Sequence, residues 1–346
     1  MAYHSKNLAE GLSQLGHEIH VLTSSHPNTN NRYSRNGVQI HRIKTSKFGG
    51  IDAVKKFSFL IKAKKKAKNL DNKYDFDLIH SHGNSGVFVS LNKPFVMKCH
   101  SLWADEIELP FKKSWLKKQY MKIDSYLEKK AIKKADLIVS VSKKIANSIK
   151  KRYNKESKVV YNGVPDIMEP KDVDKENQIL NVSAFSKRKG CHLFPNILEE
   201  IDEKYSLLHI GPIPEKKLFK KVLKKLKEKK MRDRFNHIDF ISQEKLPRHY
   251  SQSKIYIHPS LYEAFGNTPM EAIACGTTSL VSNQCGCSEL SNKIRNLVPT
   301  NINRFSSKIR YILKNKLVNK QNQENTFKKD WKQVGLESQK FFKKII

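Results

Sequence analysis

Short apolar runs alternate with amphipathic segments along most of the chain, and this alternation predicts strands and helices in turn. Strands are expected where an apolar run is short and continuous, and helices where apolar residues recur three or four positions apart. In the first half, the predicted helices are residues 3–15, 54–68, a long helix with apolar positions 116, 120, 123 and 127, and a helix from Ser142. The predicted strands there are residues 18–23, 38–43, 77–81, 94–100, 137–141 and 159–161.

The alternation restarts after residues 164–177, which are rich in Pro, Asp, Lys and Glu, lack periodicity and are predicted to be a linker. Beyond it, the predicted strands are residues 179–185, 206–210, 238–241, 255–259 and 278–281. The predicted helices are residues 192–201, 216–229, 269–275 and the polar stretch 302–346. Strands that alternate with helices are typical of parallel sheets covered on both faces, so the sequence predicts an α/β protein with two domains.

Two glutamates eight positions apart, Glu263 and Glu271, carry most of the functional information. Between them, residues 266–267 predict a turn, and Thr268 with the following proline predicts a capped helix start; Gly276 is expected to end that helix. A helix start leaves backbone N–H groups unpaired and suits a phosphate, whereas carboxylates beside it suit sugar hydroxyls. The combination predicts a nucleotide-sugar site. The alternative is an ordinary capping box, in which Glu271 only stabilises the helix.

Composition limits the remaining function classes. The chain has 346 residues and a formal net charge of +33, with 55 lysines and 11 arginines. Specific nucleic-acid readers favour arginine, and no recognition-helix, zinc-finger or aromatic RNA-binding motif occurs, so we expect no nucleic-acid partner. No apolar run approaches the roughly 18 residues of a membrane-spanning helix, and no signal-peptide pattern occurs at residues 1–6. Five scattered cysteines predict free thiols in a reducing, cytoplasmic compartment.

The order of several short motifs resembles the retaining glycosyltransferases of family 4, which have the GT-B fold. The motifs are residues 7–12, 16–23, 77–82, His100, 135–142, 162–164, 189–190 and 263–276. The resemblance covers nearly the whole chain and implies two Rossmann-like domains that face a central cleft. It implies an acceptor-binding domain at residues 1–165, a nucleotide-sugar-binding domain at 166–325, and a C-terminal helix within 326–346 that crosses back to the first domain, where Trp331 packs.

The resemblance also implies roles for single residues. Glu271 resembles the carboxylate that holds the ribose hydroxyls, Glu263 the one that faces the donor sugar, and Lys189 the lysine that neutralises the leaving diphosphate. His100 resembles the first-domain histidine beside the reacting sugar; its structural alternative is a histidine packed at a strand end. The diphosphate would be held by the backbone N–H groups of Phe265, Gly266, Asn267 and Thr268.

Retention in this family is attributed to front-face attack, in which the leaving phosphate oxygen accepts the proton of the acceptor. The resemblance therefore implies no metal and no cofactor besides the donor substrate. The residues agree, because we find no Asp-x-Asp motif near a predicted site and no Cys/His pair to accompany Cys285 and Cys287. Structural roles are expected for His80 and His82.

Two departures from the family pattern matter. The family carries Gly-Arg before the lysine, whereas this chain has Ser183 and Ala184, so one charged contact to the diphosphate is absent. Lys187 and Arg188 are nearby cations in the same loop, but their spacing differs from that of the family's arginine. The family also begins with a strand and a Gly-Gly loop before the helix that starts here at residue 3. We therefore expect the natural protein to be longer, with a central strand upstream.

The sequence thus predicts a cytoplasmic retaining hexosyltransferase that uses a nucleotide diphosphate sugar and a glycan or lipid-linked acceptor. Lysines accompany apolar residues at 54–68 and 112–130, which favours an anionic membrane surface, at the inner face of the membrane, as a further partner. The alternative is that these apolar stripes face the core. Two other functions stay open: a catalytically inactive relative that acts as a nucleotide-sugar-binding or partner subunit, and a nucleotide-sugar epimerase of the same fold.

Overall fold

The computed structural model describes residues 2–25, 32–45, 52–111, 114–294, 297–315 and 329–346. The chain forms two compact units. Unit 1 comprises Met1–Asn162 and Asp330–Ile346, and unit 2 comprises Gly163–Lys329. The sequence-based boundaries, 165/166 and 325/326, stand within a few residues of this division. Part of the predicted polar helical stretch, residues 316–328, lies outside the described residues.

Unit 1 contains two sheets. Its strands are β1 (Ile19–Ser24), β2 (Arg32–Arg35), β3 (Val38–Ile43), β4 (Ile79–His82), β5 (Phe95–Cys99), β6 (Leu137–Ser140) and β7 (Lys158–Val159). One sheet has the order β1-β3-β2, with β3 parallel to β1 and antiparallel to β2. The other is parallel throughout, with the order β4-β5-β6-β7. Strand β5 lies inside this sheet, and its five residues are all buried.

The helices of unit 1 are α1 (Ala2–Ser13), α2 (Asp52–Tyr74), α3 (Trp103–Glu108), α4 (Trp115–Lys134), α5 (Lys143–Tyr153) and α11 (Trp331–Phe342). The C-terminal helix α11 packs against α1, and Trp331 joins a core cluster with Leu8 and Leu12. The two backbones meet closely at Gly11, where an added Cβ would lie 2.3 Å from the carbonyl oxygen of Trp331. A glycine is therefore required at this point of α1.

Several sequence expectations for unit 1 need correction, and the short helix α3 was not predicted. Helix α2 continues to Tyr74, because Leu70 extends its buried stripe beyond residue 68. In α4 the predicted stripe is only partly core-facing: Leu127 is buried, whereas Leu116 and Ile123 are exposed. The rest of the core side is formed by Met121, Ala131 and Ile132. The short, polar strand β2 was not predicted, because its residues carry no apolar alternation.

Unit 2 contains one parallel sheet. Its strands are β8 (Glu176–Val182), β9 (Ser206–Ile210), β10 (Phe235–Ile238), β11 (Ser253–His258), β12 (Ser279–Ser282) and β13 (Leu297–Thr300). Its helices are α6 (Phe194–Glu200), α7 (Lys216–Glu228), α8 (Leu246–Gln252), α9 (Asn267–Ala274) and α10 (Phe305–Lys314). The strand order is β10-β9-β8-β11-β12-β13, and helices pack apolar side chains against the sheet in one core cluster. The predicted linker contains no helix or strand until Glu176, where β8 begins.

Several elements of unit 2 differ from the prediction. Strand β8 occupies 176–182 instead of 179–185, so it begins inside the predicted linker. Strand β10 occupies 235–238 instead of 238–241, because the fully buried Phe235 packs into the core whereas Phe240 is exposed. Helix α8 and strand β13 were not predicted, since each is too short to show a clear period. The cysteines are buried free thiols, as expected.

None of the described helices combines the length and apolarity needed to cross a bilayer.

The close approach of α1 to α11 predicts that Gly11→Ala destabilises unit 1. The new methyl group would overlap the backbone of Trp331, and such overpacking costs about 1–3 kcal/mol. Urea unfolding measures the loss. The matched control, Lys6→Ala on the exposed side of α1, should change stability by less than about 0.5 kcal/mol. Equal stability of both variants would contradict the packing described for α11.

Candidate active site

The strand order of unit 2 reverses between β8 and β11. From β8 the chain continues outward through β9 and β10, whereas β11, β12 and β13 continue in the other direction. In open parallel sheets, ligands bind outside the carboxyl ends of the strands at such a switch point. The loops that leave β8 and β11 start there, and they contain Lys189 and Glu263 respectively. The topology therefore places both sequence-predicted residues at the expected crevice.

A glycine allows these two loops to approach each other. Gly190 has a left-handed backbone (φ 76°), and an added Cβ would lie 2.0 Å from the carbonyl oxygen of Pro259. The backbone N–H of Leu261 also donates to the carbonyl of Arg188, at 2.8 Å. These contacts fix the loop after β8 against the loop after β11, which explains the Lys189-Gly190 pair.

The result is an ion pair between Lys189 and Glu263. The ammonium group donates to Oε2 of the carboxylate, and the two side chains are only 15% and 18% exposed. Burial alone would raise the pKa of Glu263, but the charge of Lys189, followed by nearby His258 and Arg188, outweighs it and holds that pKa well below its usual range. Glu263 is therefore a carboxylate at neutral pH, able to accept hydrogen bonds from sugar hydroxyls.

A buried polar chain supports this pair from β11. His258 Nε2 lies 3.6 Å from Glu263 Oε2, and the hydroxyl of Tyr256 lies 3.1 Å from His258 Nδ1. The same hydroxyl lies 2.7 Å from Thr268 Oγ1, at the start of α9. Sequence analysis missed His258 and Tyr256, although their alternate positions on β11 placed them on one side of the strand. They link Glu263 to the predicted phosphate site.

The helix start differs from the predicted capping box. Helix α9 begins at Asn267 after Gly266, which has a φ of 107°, and no side chain caps it. Thr268 thus lies inside the helix, and its hydroxyl contacts Tyr256. The prediction of Thr268 as the N-cap was wrong because Gly266 provides the turn. The first turn of α9 still presents N–H groups that lack an intrahelical partner, which is the feature that suits a phosphate.

Glu271 has a different partner from the one that a capping box requires. Its carboxylate accepts a hydrogen bond of 3.0 Å from the hydroxyl of Tyr250, on α8, and its side chain is buried. Burial raises the pKa of Glu271 to about 7, although the Tyr250 hydrogen bond acts in the opposite direction. The residue is therefore not explained by helix capping, and the capping-box alternative is wrong. Gly276, with a φ of 78°, follows the helix as predicted.

The position of the missing arginine is partly exposed. Ala184 directly follows Ser183, whose hydroxyl donates to Asn181 at 2.8 Å. The guanidinium group of Arg188 is nevertheless near Glu263, and its charge contributes to the low pKa of that carboxylate. One N–H group of Arg188 donates to the carbonyl of Tyr262, at 3.3 Å. Lys187 is exposed.

His100 belongs to unit 1 and lies in a cluster of three histidines. It directly follows β5, and its Nε2 lies 3.0 Å from Nδ1 of His82, which ends the neighbouring strand β4. The ring of His4, from α1, lies edge-on to His100 with 4.5 Å between centroids. Burial lowers the pKa of all three well below the usual range, and the charge of the buried Lys98 lowers each further, so the imidazoles are neutral.

The three histidines of this cluster lie close enough together to contact one small ligand. One ring nitrogen from each of His4, His82 and His100 lies within 4.8 Å of the others. Within the described residues, neither ring nitrogen of His4 has a hydrogen-bond partner. The nearby charge of Lys98 disfavours a divalent cation, and the three residues include no carboxylate to offset it. The cluster suits a ligand rich in hydroxyl groups better. Sequence analysis missed His4, which lies in an ordinary amphipathic helix, and assigned His82 a structural role.

Comparison with known proteins covers both units. A family model described as "Glycosyltransferase Family 4" matches residues 1–166, and one described as "Glycosyl transferases group 1" matches residues 165–330. An uncharacterized glycosyltransferase of Methanocaldococcus jannaschii is 28% identical over 298 residues, covering 83% of this chain and 76% of the relative.

Solved structures share the fold. Sucrose-phosphate synthase from Thermosynechococcus elongatus has a TM-score of 0.83 at 19% identity, covering 99% of this chain and 92% of that one. Anabaena HepE in complex with UDP-glucose has a TM-score of 0.68 at 15% identity, covering 89% of this chain and 87% of that one. At these identities the likeness concerns the fold alone.

The raised pKa of Glu271 predicts a pH-dependent stability. Its carboxyl keeps its proton to about pH 7 when folded but loses it near 4.5 when unfolded, so ionisation opposes folding as the pH rises through this window. Glu271→Gln keeps an oxygen for Tyr250. We expect it to match the wild type near pH 4.5 and to be more stable by roughly 3 kcal/mol at pH 8. Denaturant unfolding at both pH values measures the difference in stability between the variant and the wild type. A difference that does not change with pH would show that the pKa of Glu271 is not raised.

Proposed function

The chain belongs to the family 4-like glycosyltransferases of the GT-B fold, and on this premise we propose that it is a retaining hexosyltransferase. In this proposal it moves a sugar from a nucleotide diphosphate sugar to an acceptor hydroxyl. The observation that supports it most is the Lys189–Glu263 pair at the strand-order reversal of unit 2, because it joins a cation for the diphosphate to an ionised carboxylate for the sugar.

The donor would lie along the carboxyl edge of β8 and β11. Glu271 would accept the ribose hydroxyls, and the backbone N–H groups of residues 265–268 would hold the diphosphate at the start of α9. Lys189 would then divide its charge between Glu263 and the phosphate. HepE, which has this fold, was solved with UDP-glucose, and that precedent supports a nucleotide sugar as the donor.

The proposed reaction breaks the bond between the anomeric carbon and the phosphate oxygen. The acceptor hydroxyl forms its new bond on the same face of the sugar, and its proton passes to the departing phosphate oxygen. Negative charge grows on that oxygen in the transition state, so a fixed cation such as Lys189 helps most at this stage. Glu263 would stabilise the positive charge that develops on the sugar ring. No step requires a metal or a cofactor.

His100 would act from unit 1 as a hydrogen-bonding partner of the reacting sugar. Its imidazole is neutral, and it lies beside His82 and the unpartnered ring of His4. A neutral imidazole can both donate and accept a hydrogen bond, which suits a hydroxyl group. It would position the sugar without adding charge at the anomeric carbon.

The proposed acceptor is a glycan or a lipid-linked glycan, and the proposed location is the cytoplasm, at the inner face of the membrane. The support is the charge of unit 1, whose helices α2 and α4 expose mainly lysines to solvent. Such a surface favours acceptors that are held near anionic lipid.

A second candidate function is supported by Ala184. The missing guanidinium would remove a charge-assisted contact worth about 2–4 kcal/mol of transition-state stabilisation. The second candidate is therefore an inactive relative that binds nucleotide sugar or acts as a partner subunit.

Incubation with a panel of nucleotide sugars and glycan acceptors, followed by proton NMR, separates these functions. The proposal predicts a glycoside with the anomeric configuration of the donor. An inverted product would contradict retention, and an epimerised donor without acceptor would assign an epimerase. Binding without turnover would favour the inactive relative.

Donor affinity should depend on Glu271. Loss of two charge-assisted hydrogen bonds to ribose predicts that Glu271→Ala weakens binding by about 2–4 kcal/mol. Tyr250→Phe removes only the support of the carboxylate and should cause a smaller loss. Calorimetric titration with the best nucleotide sugar measures both. Normal affinity of the Glu271 variant would place the ribose elsewhere.

Ala184→Arg should restore the contact that is characteristic of the family. Ala184 is partly exposed at the end of β8, so a longer side chain can extend into solvent or toward a diphosphate. We expect kcat/KM to rise by about thirty- to several hundredfold. Ala184→Met controls for side-chain size without charge. If both variants behave as the wild type, either Arg188 already provides the cation or the site is unused; donor binding by Arg188→Met distinguishes these two outcomes.

A further inference from the structure

Helix α4 has a second apolar face, which the core does not use. Trp115, Leu116, Ile123 and Tyr126 are 69%, 73%, 45% and 57% exposed. Their spacing places them on one side of a helix with about 3.6 residues per turn. The core-facing side of α4, described above, lies opposite. Four large apolar side chains in one exposed stripe are unusual for a surface helix whose packing is already complete.

The exposed charges on α4 are all positive. Its lysines are exposed; they are Lys117, Lys118, Lys122, Lys129, Lys130, Lys133 and Lys134. Its acidic residues, Asp124 and Glu128, are 1% and 3% exposed. Asp124 pairs with Lys56 of α2, and Glu128 accepts the backbone N–H of Trp103. Neither acid can compensate the lysines, so the apolar stripe is surrounded by uncompensated positive charge.

A shallow cleft of about 470 Å³ adjoins this face. Its lining includes Lys122, Tyr126 and Lys129 of α4, with Arg152 and Tyr153 of α5. Arg152 is bound by Asp105 and Glu108. Within the described part of the chain, Lys122 and Lys129 have no ion-pair partner. Two uncompensated ammonium groups beside tyrosine side chains suit a phosphate group, and Tyr126 belongs to both the cleft and the stripe.

We propose that α4 docks unit 1 on an anionic bilayer, with Trp115 and Leu116 inserted among the headgroups and Lys122 and Lys129 bound to the phosphate of an anionic lipid. Tryptophan and tyrosine favour the boundary between headgroups and acyl chains, and lysines around them add attraction to anionic lipid. A nucleic acid would leave the apolar stripe in water, and an acidic protein would need an apolar surface of matching shape.

The structure narrows the membrane-binding hypothesis, which the sequence placed on residues 54–68 and 112–130. Helix α2 is the other basic segment. Its buried stripe, which includes Leu60, faces the core, whereas Val54 and Ile61 are exposed. Residues 112 and 113 lie outside the described residues. Helix α7 of unit 2 is as rich in lysine as α4, but its apolar residues Val222 and Leu226 are buried. It therefore offers a charge-matched control without an apolar stripe.

Membrane docking by α4 would bring the enzyme to lipid-linked acceptors, and only this purpose rests on the proposed function. Co-sedimentation of the full chain with vesicles needs no donor, so it can fail while the proposed transfer holds. The vesicles are phosphatidylglycerol mixed with phosphatidylcholine, or phosphatidylcholine alone, at low and high salt. We expect partition onto the anionic vesicles only, weakened at high salt because the attraction is screened.

Four variants test the parts of the surface. Trp115→Ser with Leu116→Ser should weaken partition more than tenfold. Lys122→Gln with Lys129→Gln should weaken it by roughly thirtyfold. Lys221→Gln with Lys227→Gln, on exposed positions of α7, removes the same charge and should change partition much less. Trp115→Phe should partition as the wild type but lose the blue shift of tryptophan emission, since Trp103 and Trp331 are more buried than Trp115.

Several outcomes would overturn the proposal. Equal partition onto neutral vesicles would remove the role of charge, and equal losses in the α4 and α7 lysine variants would remove the role of the cleft. A dimer in sedimentation velocity without lipid, abolished by the Trp115/Leu116 variant, would assign the face to a second copy. Binding of RNA that the same variant abolishes would assign it to nucleic acid.

Discussion

The partly buried ion pair between Lys189 and Glu263 is the interaction on which the unit 2 site depends. Both side chains are less than one-fifth exposed, and removing one partner would leave the other charge uncompensated and largely shielded from water. Gly190 lies against Pro259 and Leu261 donates to Arg188, and these contacts hold together the two loops that carry the pair. The two loops therefore behave as one structural element at the strand-order reversal, and a bound diphosphate can share a cation that is already in place.

The two glutamates of the site occupy opposite electrostatic environments. Glu263 is surrounded by Lys189, Arg188 and His258, which keep it ionised, whereas burial beside Tyr250 raises the pKa of Glu271 to about 7. In the proposed function, the first carboxylate faces the sugar ring, where positive charge develops, and the second faces neutral ribose hydroxyls. Donor binding would favour the ionised form of Glu271, because a carboxylate accepts two hydroxyl hydrogen bonds whereas its protonated form offers one acceptor fewer.

The sequence predicted the features that depend on local pattern. Strands β3 and β9 lie at the predicted residues, because β3 places Val38, Ile40 and Ile43 among polar residues and β9 is a short, largely apolar run. The Glu263–Glu271 motif was found for the same reason, since its spacing is local. Long-range packing decided the features that were missed. Tyr250 meets Glu271 through the contact between α8 and α9, and His4 meets His100 only because α1 packs beside the sheet. Likewise, periodicity predicted an amphipathic α4 but gave no indication of which stripe faces the core.

Comparing a nucleoside diphosphate with its sugar conjugate tests the central claim most directly. In the proposed function, Lys189 contacts the diphosphate and Glu263 contacts the sugar. Calorimetric titration of Lys189→Met should show weakened binding of both ligands by a similar factor. Glu263→Gln should weaken the conjugate and leave the nucleoside diphosphate nearly unchanged, with folding of both variants checked by circular dichroism. If Glu263→Gln weakened both ligands equally, or if Lys189→Met weakened neither, the donor would not lie on this ion pair and the proposed site would be wrong.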